Sequence, residues 1–257
     1  MRRRLDTELV RRGLVSSRSE GVEAIAAGRV TVGGAPAPKP ARLVAAGEPI
    51  ELVGRRRFVS RGGEKLEAAL ETFAIDVTDA VCLDAGASTG GFTDCLLQRG
   101  ARAVYALDVG HGQLDWGVRR DDRVVVLERT DIRAVPPDVV GPCDVVTADL
   151  AFISLRSVLD HLADAGTQGV DVVLLVKPQF EVGRARVGRG GIVRDPALHL
   201  SALTGVADAC PAAGLVPVGV MRSPLRGGDG NVEFLLHARR SGEHIDPAVL
   251  EAVACVE

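Results

Sequence analysis

The sequence predicts a doubly wound α/β domain preceded by a small α+β module. Three observations carry that expectation. From residue 60 onward, short apolar runs alternate with helical segments, the pattern of a largely parallel sheet covered on both faces. Before that point the elements are shorter and the charge balance is opposite. Residues 1–61 hold thirteen Lys and Arg against six Asp and Glu, a net of +7, whereas the remainder carries a net of −10. The third observation is a glycine-rich turn after the first long strand, Asp84-Ala85-Gly86-Ala87-Ser88-Thr89-Gly90-Gly91-Phe92, where such sheets bind ligands.

The elements follow in order. Leu5, Leu9, Val10 and Leu14 share one face of a helix. Ser17 and Glu20 form a capping box for a second helix that runs to Gly28. Residues 29–34 read as a strand and a tight turn, 36–40 as loop and 49–53 as another short strand. The module spans residues 1–54, and 55–59 form a linker, Arg55-Arg56-Arg57-Phe58-Val59. The large domain covers 60–257. It opens with a helix bearing Leu66, Ala69, Leu70 and Phe73 on one side. Its strands are expected at 81–85, 103–108, 124–127, 144–148, 170–176, 216–220 and 232–237, with helices at 91–99, 154–165 and 196–209.

Composition excludes several classes. The 257 residues are 46% hydrophobic and 25% charged, an ordinary globular balance. No apolar run approaches the roughly 20 residues of a membrane span, and Met1-Arg2-Arg3-Arg4 leads into an amphipathic stretch rather than a signal sequence. Five cysteines at no metal-ligand spacing read as reduced thiols in a cytoplasmic protein. No metal is called for.

The acidic residues after successive strands outline a nucleotide-like pocket. The turn at 84–92 lacks the Gly-x-Gly-x-x-Gly spacing of dinucleotide sites. Asp108 ends the second strand, where a carboxylate can accept from ribose hydroxyls. Asp131 and Ile132 follow the third, where a carboxylate can receive an adenine amine. Three such sites after consecutive strands outweigh the alternative that each Asp merely caps a helix.

Lysine usage is the sharper signal. The chain has 28 Arg and only three Lys: Lys39, Lys65 and Lys177. A lysine that persists against such a bias suits a site needing an amine that can release its proton, which a guanidinium cannot do. Lys39 lies between prolines. Lys177 ends the apolar strand Val172-Val173-Leu174-Leu175-Val176, and Lys65 precedes the first large-domain helix. Two carboxylates sit comparably: Asp149 at the end of the fourth strand and Glu233 in the last. An acid among apolar strand residues is costly unless paired.

These residues carry a resemblance. The turn at 84–92 resembles motif I of S-adenosylmethionine-dependent methyltransferases, which have a Rossmann-like class I fold. Lys65, Asp149, Lys177 and Glu233 are similar to the K-D-K-E tetrad of the FtsJ-like ribose 2'-O-methyltransferases. The strings around them (S-R-G-G-E-K-L, D-L-A-F-I-S-L, L-V-K-P-Q-F-E, G-G-D-G-N-V-E-F-L) resemble the hemolysin-A-like, or TlyA, branch of rRNA methyltransferases. The first module resembles the S4 domain of that branch. The resemblance runs from about residue 3 to about residue 240. It departs at Ala151, where many members carry Ser, and at Phe58, where the family's Arg-x-Trp-Val linker has Trp.

The resemblance implies S-adenosylmethionine as cofactor, held by Asp84, Gly86, Ser88, Gly90, Gly91, Phe92, Asp108, Asp131 and Ile132. It implies 2'-O-methylation of cytidine in 16S and 23S rRNA of the 30S and 50S ribosomal subunits, by a monomer with no membrane contact. Within the tetrad, Lys177 is the expected general base, its proton loosened by Lys65 and partial burial. Asp149 would orient it, while Lys65 and Glu233 position the ribose. RNA grip is expected from Arg4, Arg11, Arg18 and Arg29, and from Arg184, Arg186 and Arg189 in a mobile Gly/Arg loop after Pro178. Other functions would leave features unused. A ribosome-assembly factor needs no lysine pair, a small-molecule methyltransferase needs no basic module, and a pore-forming hemolysin needs spanning segments that are absent from the pattern.

Overall fold

The computed structural model describes residues 2–15, 17–54, 57–135 and 139–255, apart from the Ser19 side chain. The chain divides into two compact units, residues 1–57 and 58–257. Arg55 and Arg56 of the expected linker lie outside the described residues. Phe58 belongs to the second unit and is buried in its core.

In the first unit, β1 (Arg2–Arg4) runs directly into α1 (Leu5–Arg11), followed by α2 (Arg18–Ala26), β2 (Val30–Val32), β3 (Ala35–Pro36), β4 (Leu43–Ala45) and β5 (Ile50–Leu52). Strand β1 pairs antiparallel with β4, and β2 lies between β3 and β5 in a second antiparallel sheet. Leu14 falls past the end of α1, which is shorter than its periodicity suggests. The Ser17 Oγ accepts from the Glu20 N–H at 3.2 Å and starts α2 as expected. Leu5, Leu9, Ile25, Val30, Val32 and Val44 form the core. Strands β1, β3 and β4 are two or three residues long, too short for alternation to betray them in sequence.

The second unit continues with α3 (Arg61–Thr72), β6 (Val81–Ala85), α4 (Gly91–Gln98), β7 (Ala103–Asp108), α5 (Trp116–Arg119), β8 (Val124–Glu128), β9 (Cys143–Ala148), α6 (Leu159–Asp164), β10 (Gly166–Val176), α7 (Pro178–Glu181), α8 (Pro196–Ala207), β11 (Val216–Arg222), β12 (Phe234–Arg239) and α9 (Pro247–Cys255). Seven strands form one sheet in the order β11-β12-β10-β9-β6-β7-β8. The run from β8 to β10 is parallel, and β12 is antiparallel to both its neighbours. This is the doubly wound, Rossmann-like topology expected from the sequence, with the order reversing between β6 and β9. The reversal opens a crevice beyond the C-termini of those two strands.

Strand β10 shows why the central strands read as unbroken apolar runs. Val172, Leu174 and Val176 pack into the core on one face of the sheet, Val173 and Leu175 into the core on the other. The expected helix at 154–165 is a 3₁₀ turn at Leu155–Ser157 followed by α6, and the last strand starts two residues later than expected. Four cysteines are buried and none of the five forms a disulfide; burial pushes the Cys82, Cys143 and Cys210 thiols up to about 12, which keeps them inert.

The start of α3 is a tight joint. The Ser60 Oγ accepts from the Gly62 N–H at 3.3 Å as the N-cap. Gly63 lies so close beneath Phe58 that an added Cβ would overlap the Phe58 ring. Phe58 is buried in one cluster with Leu66, Leu70 and Phe92, so the linker aromatic serves as core of the second unit. A Gly63→Ala substitution is therefore expected to displace that ring and lower stability by about 1–3 kcal/mol, as overpacked cores do. Thermal melting of the variant beside Gly63→Ala/Phe58→Leu checks this: the smaller aliphatic side chain should recover part of the loss, and equal melting of parent and Gly63→Ala would refute the packing argument.

Candidate active site

The C-terminal edge of the sheet carries three adjoining cavities. The first, about 410 Å³, is lined by the turn after β6 (Gly86, Ser88), the end of β7 (Asp108), the segment after β8 (Asp131, Ile132) and Asp149 to Ile153 with Lys177. The second, about 210 Å³, lies between Ser60, Arg61, Gly62 and Lys65 of α3 and the 86–92 turn, with Asp149 at its edge. The third, about 620 Å³, is walled by Phe152, Lys177, Gln179, Phe180, Arg184 and Glu233, among others.

The turn is shaped for close approach. Gly86 has φ +90°, and an added Cβ would overlap the Asp149 carbonyl. A side chain there would be strained and would block the crevice. Asp108 organises the opposite wall: its Oδ2 accepts from the Ser88 N–H at 2.8 Å and its Oδ1 from the Gly110 N–H at 2.6 Å. Asp131 caps the next turn and pairs with Arg133 at 2.5 Å, which holds its carboxyl down at about 2 and keeps it an acceptor. Gln113 also lines the first cavity and takes a hydrogen bond from the Ser88 hydroxyl at 3.3 Å. Adjoining cavities with a polar turn, apolar walls and two fixed carboxylates suit a nucleoside-like ligand.

Of the cofactor residues expected from sequence, Gly86, Ser88, Gly91, Phe92, Asp108, Asp131 and Ile132 line these two cavities. Asp84 and Gly90 line neither. Asp84 is fully buried beneath the turn. Its Oδ2 accepts from the Thr93 N–H at 2.9 Å and the Thr93 hydroxyl at 2.6 Å, while its Oδ1 has no hydrogen-bond partner among the described residues. Gly90 packs under Leu114 and Val118 at the start of α4. Both shape the turn from below. Trp116 also stays away from the pocket; it is exposed, with the Arg120 guanidinium 4.4 Å from its ring centroid.

The four tetrad residues come together as two ion pairs. Lys65 lies on the buried stripe of α3 and hydrogen-bonds Glu233, which is equally buried just before β12. Lys177 Nζ stands 2.6 Å from Asp149 Oδ1, off the axis of a hydrogen bond. Lys65 and Asp149 share the second cavity, Lys177 and Asp149 the first, and Lys177 and Glu233 the third. Lys177 is thus the tetrad member common to the first and third cavities.

Sequence reading missed two features here. Phe152 has a left-handed backbone, φ +66°, and is 92% exposed. That conformation costs about 1–2 kcal/mol for a non-glycine residue. Its ring lies 5.4 Å from that of Phe180 at the third cavity. Glu181 is the second. It is buried, takes the Ser154 hydroxyl at 2.6 Å and the Leu155 N–H at 2.8 Å, and so ties the 149–155 segment to α7. Neither backbone sign nor this cross-link leaves a mark in the sequence.

The basic residues divide by surroundings. Arg184 reaches the third cavity, Arg189 is exposed, and the Arg186 Nε donates to the Val182 carbonyl at 2.7 Å. The loop expected to be mobile contains two single 3₁₀ turns and is pinned near its end. The buried Asn231 takes the Val193 N–H and donates to the Gly191 carbonyl, each at 2.9 Å. Arg4, Arg11 and Arg18 stand partly exposed on the first unit, and Arg29 is half-buried there. Among the described residues no group of three His, Cys, Asp or Glu could hold a metal.

Residues 58–240 match the FtsJ-like methyltransferase family and residues 3–50 the S4 domain. The chain is 49% identical to the 16S/23S rRNA (cytidine-2'-O)-methyltransferase TlyA of Mycobacterium tuberculosis, over 98% of both chains. It is 34% identical to the 23S rRNA (cytidine-2'-O)-methyltransferase TlyA of Campylobacter jejuni, over 70% of each. A solved Streptococcus thermophilus structure, named for hemolysin, superposes with TM-score 0.79 at 40% identity, covering 98% of this chain and 94% of that one. The magnesium protoporphyrin IX methyltransferase of Synechocystis shares the fold alone, at 16% identity and TM-score 0.51, over 73% of this chain and 89% of that one.

Burial pushes the Asp84 carboxyl up to about 7 from its ordinary 3.8, against the Thr93 hydrogen bonds that pull it down. Because the folded-state value is the higher one, the fold keeps this contribution in acid and loses it as pH rises toward 7. Asp84→Asn, which cannot ionise, is expected to show a flatter melting temperature between pH 5 and 8 than the parent. Parallel profiles would mean that Asp84 is ionised throughout.

Proposed function

We propose, since the chain belongs to the TlyA family of rRNA 2'-O-methyltransferases with S4 and FtsJ-like units, that it methylates the 2'-hydroxyl of cytidine in both 16S and 23S rRNA, within 30S and 50S ribosomal subunits. The observation that carries this reading is the pair of lysine–carboxylate contacts at the junction of the three cavities. S-adenosylmethionine, when bound, supplies an electrophilic methyl group. Gly86, Ser88, Asp108 and Asp131 would hold it, with the turn backbone and the start of α3 around its amino-acid end.

A ribose hydroxyl is a weak nucleophile and must lose its proton as it attacks. Lys177 stands where cofactor-side and outer cavities meet, and its Nζ in the uncharged form accepts that proton. Asp149, 2.6 Å away, then balances the ammonium and restrains its direction. Lys65 and Glu233, already locked to each other, offer a donor and an acceptor to the ribose and limit its rotation. Phe152 presents its ring toward solvent beside Phe180, a surface on which a base drawn out of its stack can rest. Arg184 at the same cavity suits a backbone phosphate.

The S4 unit supplies further phosphate contacts, which hold the RNA without reading its sequence. One copy carries all four tetrad residues, so a monomer suffices. No described helix is long and apolar enough to cross a membrane. The cytoplasm is the compartment in which this substrate is found.

Labelled methyl transfer to purified 30S and 50S subunits, with mapping of the modified ribose, tests the reading directly. Label at a cytidine 2'-oxygen in both rRNAs is expected, and label in neither would refute it. Lys177→Arg keeps the charge but removes the proton acceptor. It should cut transfer by about 10³-fold, within the usual range for general-base loss, while S-adenosylmethionine affinity stays within a few-fold. Near-parent turnover would exclude Lys177 as the base. Phe152→Ala is expected to raise the KM for subunits with little change in cofactor affinity; an unaltered KM would remove the ring from substrate binding.

A further inference from the structure

The first unit contains two carboxylates that a charge argument does not explain. Asp6 and Glu8 lie in a segment whose basic residues are read above as an RNA-gripping face, yet both are fully or almost fully buried. Each lowers the attraction of that face for a polyanion. Each is also the centre of a guanidinium cluster. Asp6 takes a two-pronged contact from Arg4, Nε to Oδ1 at 3.1 Å and Nη2 to Oδ2 at 2.8 Å, and a third bond from Arg18 Nε at 3.0 Å. Glu8 takes the same two-pronged contact from Arg11, at 2.8 and 2.6 Å, and a bond from Arg12 Nε at 2.9 Å. Arg3 stands 3.8 Å from it.

The arginines are not equivalent. Arg12 is mostly covered, and its Nη atoms donate to the carbonyls of Ala45, Ala46 and Glu48. It is committed to the fold. Arg4, Arg11 and Arg18 remain 44%, 48% and 62% exposed while gripped by a buried anchor. In Arg4 and Arg11 the contact uses Nε and Nη2, which leaves Nη1 facing away from the acid. A free arginine side chain loses rotamer entropy when it docks on a phosphate. Here much of that loss is already incurred in the unbound protein, and two-pronged geometry fixes the direction of each fork.

We propose that Asp6 and Glu8 are positioning residues for RNA binding: buried carboxylates that hold Arg4, Arg18 and Arg11 in a preset array for successive phosphates of a folded RNA. The array keeps a net positive charge, since two acids face five arginines. The inference rests on the reading of the S4 unit as an RNA surface, and it makes a prediction of opposite sign to simple charge counting. Removing either negative charge should weaken RNA binding.

The test is binding of the full-length chain to in-vitro-transcribed 23S rRNA across a salt series. Asp6→Asn keeps an oxygen for the Thr7 N–H, which Asp6 Oδ1 accepts at 2.8 Å. Asp6→Asn and Glu8→Gln are each expected to lose about five-fold in affinity, the scale of freeing one or two immobilised side chains, with no steepening of the salt dependence. The Asp6→Asn loss should disappear in an Arg4→Ala/Arg18→Ala background, because Asp6 acts through those two side chains. A purely structural role would leave the loss in place there, which overturns the proposal. Melting curves identify a variant that fails to fold, and the other acid then carries the test. Tighter binding of folded acid variants, with weakened arginine variants, would overturn the positioning role and leave the RNA surface standing. Unchanged binding of Arg4→Ala/Arg18→Ala and Arg11→Ala would remove the RNA surface and this proposal with it.

Discussion

The catalytic unit depends on a buried ammonium that must never lack its carboxylate. Lys65 occupies the apolar stripe of α3, beside Leu66, Ala69 and Leu70, and Glu233 meets it from a point 168 residues later. Burying two charges costs several kcal/mol each, and their attraction rarely returns more than that. A well-packed apolar pair would serve stability at least as well. The ion pair is better understood as a positional constraint: it joins the first helix of the unit to the approach of its antiparallel strand beside the open crevice. Gly227 reinforces this, since an added Cβ there would crowd the Glu233 carboxylate.

Around that constraint the sheet does the placing. Strand order reverses between β6 and β9, and both strands end at the same level, Ala85 opposite Ala148. Asp149 is the next residue, and its N–H donates to the Ala85 carbonyl at 2.9 Å. Strand β10 ends nearby at Val176, and Pro178 at the start of α7 breaks the ladder directly after Lys177. Parallel register thus delivers a carboxylate and an amine to one edge without long loops. Glu181 then holds the segment after Asp149 against α7, so both members of the outer pair are fixed at their backbones.

What the sequence disclosed follows from the kind of force involved. Central strands buried on both faces must be apolar throughout, so β6, β7, β9 and β10 were legible, as was the crevice beyond them. Asp149 and Lys177 stood out because an acid or amine at the end of an apolar strand is expensive and needs a reason. The helix–helix–strand order of the S4 unit was legible from its capping box and periodicity. Relations that leave no periodic or compositional trace were not. The outward ring of Phe152 depends on one backbone torsion. Asp84 looked like a ligand residue from its place in the turn, yet Thr93 draws it inward, and a strand-end acid reads identically in either role. Asp6 and Glu8 appeared only as charges to subtract from a basic segment, because nothing in their spacing announces burial.

The contrast between arginine and lysine unites the two units. Of the 31 basic residues, 28 are Arg, and several meet carboxylates in fixed forks: Arg4 on Asp6, Arg11 on Glu8, Arg123 on Asp121, Arg133 on Asp131. A guanidinium keeps its charge and its plane, which suits positions where direction and permanence matter. Two of the three lysines stand in the tetrad instead. An amine is compact and can exchange its proton, which a guanidinium cannot do. The same chain thus sets guanidinium groups in fixed forks on carboxylates and keeps two of its few amines for carboxylate contacts at the crevice, and the scarcity of lysine elsewhere is what makes that division visible.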